Sequence, residues 1–140
     1  MYLGEYRTQL SEKNRVALPK NLRKELDNEV ILTRGYEKCI LMLDKKHWDG
    51  LLQKINQNPL LKMDVRDTKR YLIGGAFEVE LDKQGRFVIP DSLRLFSGIE
   101  DKIVFLGVGE WIEVWDEASW DAKLENLTNN ASEIADRLST

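Results

Sequence analysis

The chain has 140 residues, 42% hydrophobic and 32% charged, with a net charge of −3. That is enough apolar material for a packed core in one domain or two small ones. A single cysteine, Cys39, excludes an intrachain disulfide, and no apolar run approaches the roughly 18 residues a membrane helix needs. The opening MYLGEYRTQLSEKNR shows no basic segment followed by an apolar one, so no secretory signal is read.

Charge is unevenly spread. Residues 1–24 carry six basic against two acidic residues (net +4), and residues 110–140 carry two basic against eight acidic (net −6). A basic binding face on an otherwise acidic body gives such a pattern.

In chain order, the first element is a strand ending near Leu10, then a polar turn, Ser11-Glu12-Lys13-Asn14. Serine can hydrogen-bond locally in such a turn, and asparagine tolerates positive φ. Arg15 and an apolar run follow, closed by Pro19. Farther on, Trp48 lies in a helix, with His47 at its start read as a surface or half-buried side chain. The segment 59–76 reads as a basic linker with a helix over Met63–Leu72, packed through Val65, Tyr71 and Leu72. The pattern then restarts. Phe77–Leu81 alternates as a half-buried strand, and Asp82-Lys83-Gln84-Gly85 is a turn built on aspartate and glycine. Phe87–Ile89 is a strand stopped by Pro90. Residues 91–96 form a short helix ended by Gly98. Strands 103–106 and 111–115 come next, and Asp116 caps a helix with Trp120 and Leu124 on one face.

This restart is a repeat. At an offset of 71, residues 6–23 lie on 77–94, matching Leu10 with Leu81, Arg15 with Arg86, Pro19 with Pro90, Leu22 with Leu93 and Arg23 with Arg94. At an offset of 72, Gly35, Ile40, Asp44, Trp48 and Asp49 match Gly107, Ile112, Asp116, Trp120 and Asp121. The domains read as 1–58, the linker 59–76, and 77–140. Trp48, Trp115 and Trp120 fall at core positions, and Trp111 is read as buried or at an interface.

Catalytic chemistry is not indicated. One histidine and one cysteine make neither a metal cluster nor a placed dyad, and Gly107-Val108-Gly109 lacks the lysine and hydroxyl of a phosphate loop. No enzyme activity, cofactor, metal or small-molecule substrate is expected.

The doubled apolar-Asp-x-x-x-Arg-apolar-apolar-apolar-Pro block, with MYLGEY, VILTRG at 30–35 and GVGEWIEVWDEASW at 107–120, resembles the MraZ family of bacterial transcriptional regulators. The resemblance covers nearly the whole chain. It implies a mixed β/α fold of two tandem AbrB-like swapped-hairpin repeats, related by a pseudo-two-fold axis in a β-barrel-like core with peripheral helices. It also implies binding to double-stranded DNA at the promoter of the division and cell wall gene cluster, the protein's own operon. A ring-like homo-oligomer in the cytoplasm, associated with the nucleoid and not with membrane, goes with that function. The family's Asp-x-x-x-Arg motif falls on Asp82 and Arg86 unchanged, and on Ser11 and Arg15 with the aspartate missing.

The residue chemistry suits DNA. An arginine at the end of a tight turn can present its planar fork to guanine O6 and N7, a contact worth about 1–3 kcal/mol of discrimination. Lys13 and Lys83 suit phosphates. Asn14 and Gln84, in the same turns, complete the expected DNA-binding set, and Ser11 and Asp82 support the turns. A few phosphate contacts bind weakly at physiological salt, so a closed homo-oligomer on short direct repeats is expected. The competing reading is an AbrB/MazE-like protein-binding module of antitoxin type, whose acidic C-terminal segment would engage a partner.

Overall fold

The computed structural model describes residues 1–139. In the first half, strands β1 (Tyr2–Gln9) and β2 (Arg15–Ala17) lead to a short helix, α1 (Lys20–Arg23). Strands β3 (Glu29–Arg34) and β4 (Ile40–Asp44) and helix α2 (Lys45–Asn56) complete that half. Helix α3 (Met63–Leu72) connects it to the second, where β5 (Phe77–Glu80), β6 (Arg86–Val88) and α4 (Asp91–Ser97) come first. The chain ends with β7 (Lys102–Gly109), β8 (Ile112–Asp116) and the long helix α5 (Glu117–Leu138). The predicted strands at 103–106 and 111–115 are longer or shifted by a residue. The expected stops hold: Gly98 ends α4 at φ +68°, and Asp116 caps α5 through the Ser119 amide.

The halves interlock. Six strands form one antiparallel sheet in the order β1-β7-β8-β4-β3-β5, and β2 pairs with β6 in a separate ribbon. The first strand of each half therefore lies against the third strand of the other. Val16 faces Phe87, and Leu41 faces Glu113. Each of these pairs is one residue and its own counterpart at the repeat offset, which is what a local two-fold axis through both pairs produces. β1 comes close enough to β7 that Gly4 lies opposite Gly107, where a Cβ would stand 2.5 Å from the Leu3 nitrogen.

The expected barrel-like core is corrected by this topology. Among the described residues the sheet stays open, with β1 and β5 as its edges. The eight-residue β1 and four-residue β5 do not meet, and the ribbon packs on one face of the sheet rather than joining its edges.

Period-two alternation explains the layers. Val30, Leu32, Ile40, Met42, Ile103, Phe105, Ile112 and Val114 point to one face, where Val16, Leu18, Leu22, Phe87, Ile89 and Leu93 from the ribbon and short helices meet them. On the other face, Ile31 and Leu43 pack under Trp48 of α2, and Val104 and Trp115 under Trp120 of α5. The three tryptophans read as core are buried. Linker helix α3 closes one end through Leu72, with the Tyr71 hydroxyl donating to the Gly35 carbonyl at 2.5 Å. Tyr2 ties the start of β1 to the cap of α2: its hydroxyl donates to Asp44 Oδ2 at 2.6 Å, while Asp44 Oδ1 accepts from the His47 amide at 2.8 Å. Burial alone would raise the Asp44 pKa, but these hydrogen bonds hold it below the usual carboxylate range.

Phe87 sits on the two-fold axis, 3% exposed, with its ring edge against Phe105 at 6.3 Å. Phe87→Ala is expected to cost about 3–5 kcal/mol in denaturant unfolding, and to unfold both halves in a single transition. Two separate transitions would contradict the interlock.

Candidate nucleic-acid interface

The ribbon presents an inner and an outer face. Val16 and Phe87 point into the core, so Arg15, Ala17, Arg86 and Val88 point outward, and all four are exposed. Arg15 lies opposite Val88, and Arg86 opposite Ala17. The two arginines are therefore diagonal neighbours on one outward face, their Cα atoms about 7–8 Å apart by ladder geometry. A two-stranded ribbon is one of the shapes the major groove admits.

The two turns hold their arginines differently. In the second, Asp82 Oδ1 accepts from the amides of Gln84 (2.9 Å) and Arg86 (2.8 Å), and Oδ2 accepts from Arg86 Nε at 2.8 Å. Arg86 Nη2 also reaches Gln84 Oε1 at 3.4 Å. Gly85 takes φ +77°, and a Cβ there would stand 2.2 Å from Arg23 Cδ. Arg23 lies over this turn from the first half and donates to the Lys83 carbonyl at 3.4 Å. Its sequence counterpart Arg94 instead donates to the carbonyls of Ile99 and Glu100. Alignment alone hides that difference; the glycine, leaving room for a side chain above it, is the sequence signal for Arg23.

In the first turn, Ser11 does make a local hydrogen bond, but its hydroxyl donates to the Arg15 carbonyl at 3.0 Å and organises no amide. Glu12–Asn14 form one turn of 3-10 helix in which Asn14 (φ +59°) takes the expected left-handed conformation and so does Lys13 (φ +61°). The Asn14 amide group donates to Asp91 Oδ1 at 2.9 Å, fastening the turn to the start of α4. Among the described residues the side chains of Arg15, Lys13 and Lys83 make no hydrogen bond or ion pair.

The structure thus gathers all eight sequence-derived positions around the ribbon and assigns some of them structural work. Asp82, Ser11 and Asn14 hold the turns, Arg86 is partly engaged, and Arg15, Lys13 and Lys83 are free cations. Other basic residues are spent elsewhere. Arg7 pairs with Glu5 at 2.7 Å and Asp121 at 2.8 Å. In the linker, Arg66 donates to the carbonyls of Leu60 and Leu61, and Arg70 pairs with Asp67.

The Arg86 amide, with the Arg86 side chain and the Gln84 amide, holds the Asp82 carboxyl below its usual pKa range. A depressed folded-state pKa contributes stability above the unfolded value near about 4, lost as pH falls through the folded one. The Gln84 and Arg86 amides should accordingly lose protection, relative to their intrinsic exchange rates, below about pH 4, while amides of the first turn change less. Asp82→Ala should abolish that difference between the turns in pH-resolved hydrogen exchange.

A family model described as "MraZ protein, putative antitoxin-like" matches the chain twice, over residues 1–71 and 72–140. The chain is also similar to proteins named transcriptional regulator MraZ. Those of Syntrophomonas wolfei, Natranaerobius thermophilus and Acetivibrio thermocellus are each 36% identical over 138 residues, covering 99% of this chain and 96% of theirs.

Proposed function

The chain belongs to the MraZ family, and on that premise we propose that it is a transcriptional regulator that binds specific DNA through the outward face of the β2–β6 ribbon. The observation that carries the proposal is the pair of exposed arginines, Arg15 and Arg86, set side by side on a short ribbon whose other face is locked in the core. Few backbone freedoms remain to be frozen on binding, and a guanidinium projected from this ribbon can meet a guanine edge with both nitrogens. Lys13 and Lys83, in the flanking turns, reach phosphates. That the similar proteins are named transcriptional regulators agrees with this use of the face.

The antiparallel contact between counterpart residues supports reading the fold as an AbrB-type swapped hairpin in which one chain supplies both partners. The family resemblance extends the proposal to the division and cell wall gene cluster, with a homo-oligomer engaging short direct repeats in the nucleoid. Repetition of a small contact raises the effective concentration of the remaining ribbons, which a lone ribbon with a handful of charges needs at physiological salt. The acidic C-terminal stretch is a continuous helix anchored by Trp120, which does not favour a disordered partner-binding tail.

Arg15 is free and lies in the more basic half, whereas Arg86 is tethered to Asp82. Arg15→Ala is therefore expected to abolish discrimination between the promoter site and unrelated DNA, a loss of about 1–3 kcal/mol per base contact. Arg86→Ala should weaken specific binding less, and Lys13→Ala should weaken binding to all sequences while reducing the salt slope by about one. Titrating labelled promoter DNA with each variant at several salt concentrations checks this. Unchanged affinity in both arginine variants would refute the ribbon as the reading face.

A further inference from the structure

The short helices that follow the ribbon strands lie beside the turns of the opposite half. The Leu18 amide donates to the Gly85 carbonyl at 2.9 Å, which sets α1 next to the second turn. The Ile89 amide donates to the Asn14 carbonyl at 2.9 Å, which sets α4 next to the first. Each helix therefore flanks one end of the outward face: α1 the end with Arg86 and Lys83, α4 the end with Arg15 and Lys13.

One buried leucine orients each helix. Leu22 and Leu93 are both 1% exposed and join the core that also holds Val16 and Phe87. At about 100° per residue, the positions two before and two after that leucine each lie about 160° from it, on the side away from the core. In α1 these are Lys20 and Lys24, the latter still in helical conformation at the C-cap. In α4 they are Asp91 and Leu95, the counterparts at the repeat offset. All four are exposed. The outer sides of ribbon and helices thus share one surface.

Charge makes the two ends of that surface unlike. Lys20, Lys24 and Lys83 make no hydrogen bond or ion pair through their side chains among the described residues. Their counterparts are Asp91, Leu95 and Glu12: two acids and a leucine 83% exposed. Between α1 and the second turn, Arg23 has only the 3.4 Å contact of Nη1 with the Lys83 carbonyl; its buried Nε has no partner and its Nη2 is unbonded among the described residues. Glu25, next to Lys24, is taken by the Met1 ammonium. At the other end Arg94 turns back to the carbonyls of Ile99 and Glu100, and Lys13 remains free beside Glu12. Unneutralised cations gathered at one end of a DNA-facing surface attract the duplex backbone to that end.

We infer that α1 and the second turn form a shelf for DNA phosphates, with Lys20, Lys24, Arg23 and Lys83 supplying the stronger backbone grip at the Arg86 end of the ribbon. Base reading by the untethered Arg15 and anchoring by α1 then sit at opposite ends, which gives each bound ribbon one orientation along the duplex. The inference rests on the proposed ribbon–DNA contact and adds the groups that orient it.

The Lys20→Ala/Lys24→Ala double variant tests the shelf when promoter and unrelated DNA are titrated at several salt concentrations. Affinity for both is expected to fall by a similar factor, about tenfold or more near physiological salt, with the salt slope smaller by about two. Preference for the promoter and the thermal midpoint should be kept, since both lysines are exposed. Lys46→Ala/Lys54→Ala removes the same charge from exposed positions of α2, on the other side of the sheet, and should change the slope much less. A DNA-cleaving iron chelate attached at Lys24→Cys should cut the bound duplex strongly, and at Leu95→Cys weakly; Cys39, 1% exposed, stays unlabelled. A loss of affinity no greater than in the α2 control overturns the shelf, as does equal cutting from position 95. If Arg15→Ala still destroys discrimination in that case, the ribbon reading stands without the shelf. If the arginine variants also match the control, both fall.

Discussion

Neither half of this chain can close its own core. The apolar faces of β2 and β6 pack on each other and on a common core to which both halves contribute, and β1 and β5 are accepted by strands of the opposite repeat. The pairing of counterpart residues at Val16–Phe87 and Leu41–Glu113 is the point from which the rest follows. Because the ribbon is short, its three-residue strands could not stand alone in water. They persist because Val16 and Phe87 are sunk in the common core. Burying one face of a two-stranded ribbon fixes the other, and that other face carries the arginines.

Within this symmetric frame the two turns have diverged. Both must turn a strand back over a few residues with positive φ. The second uses the aspartate and glycine chemistry that suits such a turn, and Arg23 from the first half lies over it. The first places two non-glycine residues in the left-handed region and secures them with Asn14 and Asp91 across the halves. The outcome is one arginine whose guanidinium already has a carboxylate and one whose guanidinium has none. A DNA reader with one tethered and one free fork has a polarity that a perfect two-fold would lack, which suits direct rather than inverted repeats under the proposed function.

Much of this was legible in the sequence because the repeat doubles every signal. Trp48 with Trp120 and Asp44 with Asp116 announce two equivalent capped helices, and Arg15 with Arg86 announce two equivalent ribbon positions. The pairing between halves was not legible from periodicity: a strand's alternation says which face is buried and nothing about which strand covers it. The open sheet went unread for the same reason, since closure depends on whether β1 and β5 meet. Lys13 at positive φ was missed because lysine has no preference for that region, and the tie to Asp91 that secures the turn spans 77 residues of sequence. The charge count over the first 24 residues overstated the free positive surface, because Arg7 belongs to an ion-pair group with Glu117 and Asp121 of α5.

The most direct measurement of whether the outward ribbon face meets DNA uses Ala17, an exposed residue that faces Arg86 and supports neither turn. A photo-reactive amino acid placed there, with a control at the exposed Lys45 on α2, can be irradiated in complex with promoter DNA and the adducts mapped. Adducts to bases from position 17, and none from position 45, are the expected result. Adducts from position 45 with none from position 17 would show that DNA lies on the helical side of the sheet, and would contradict the ribbon as the reading surface.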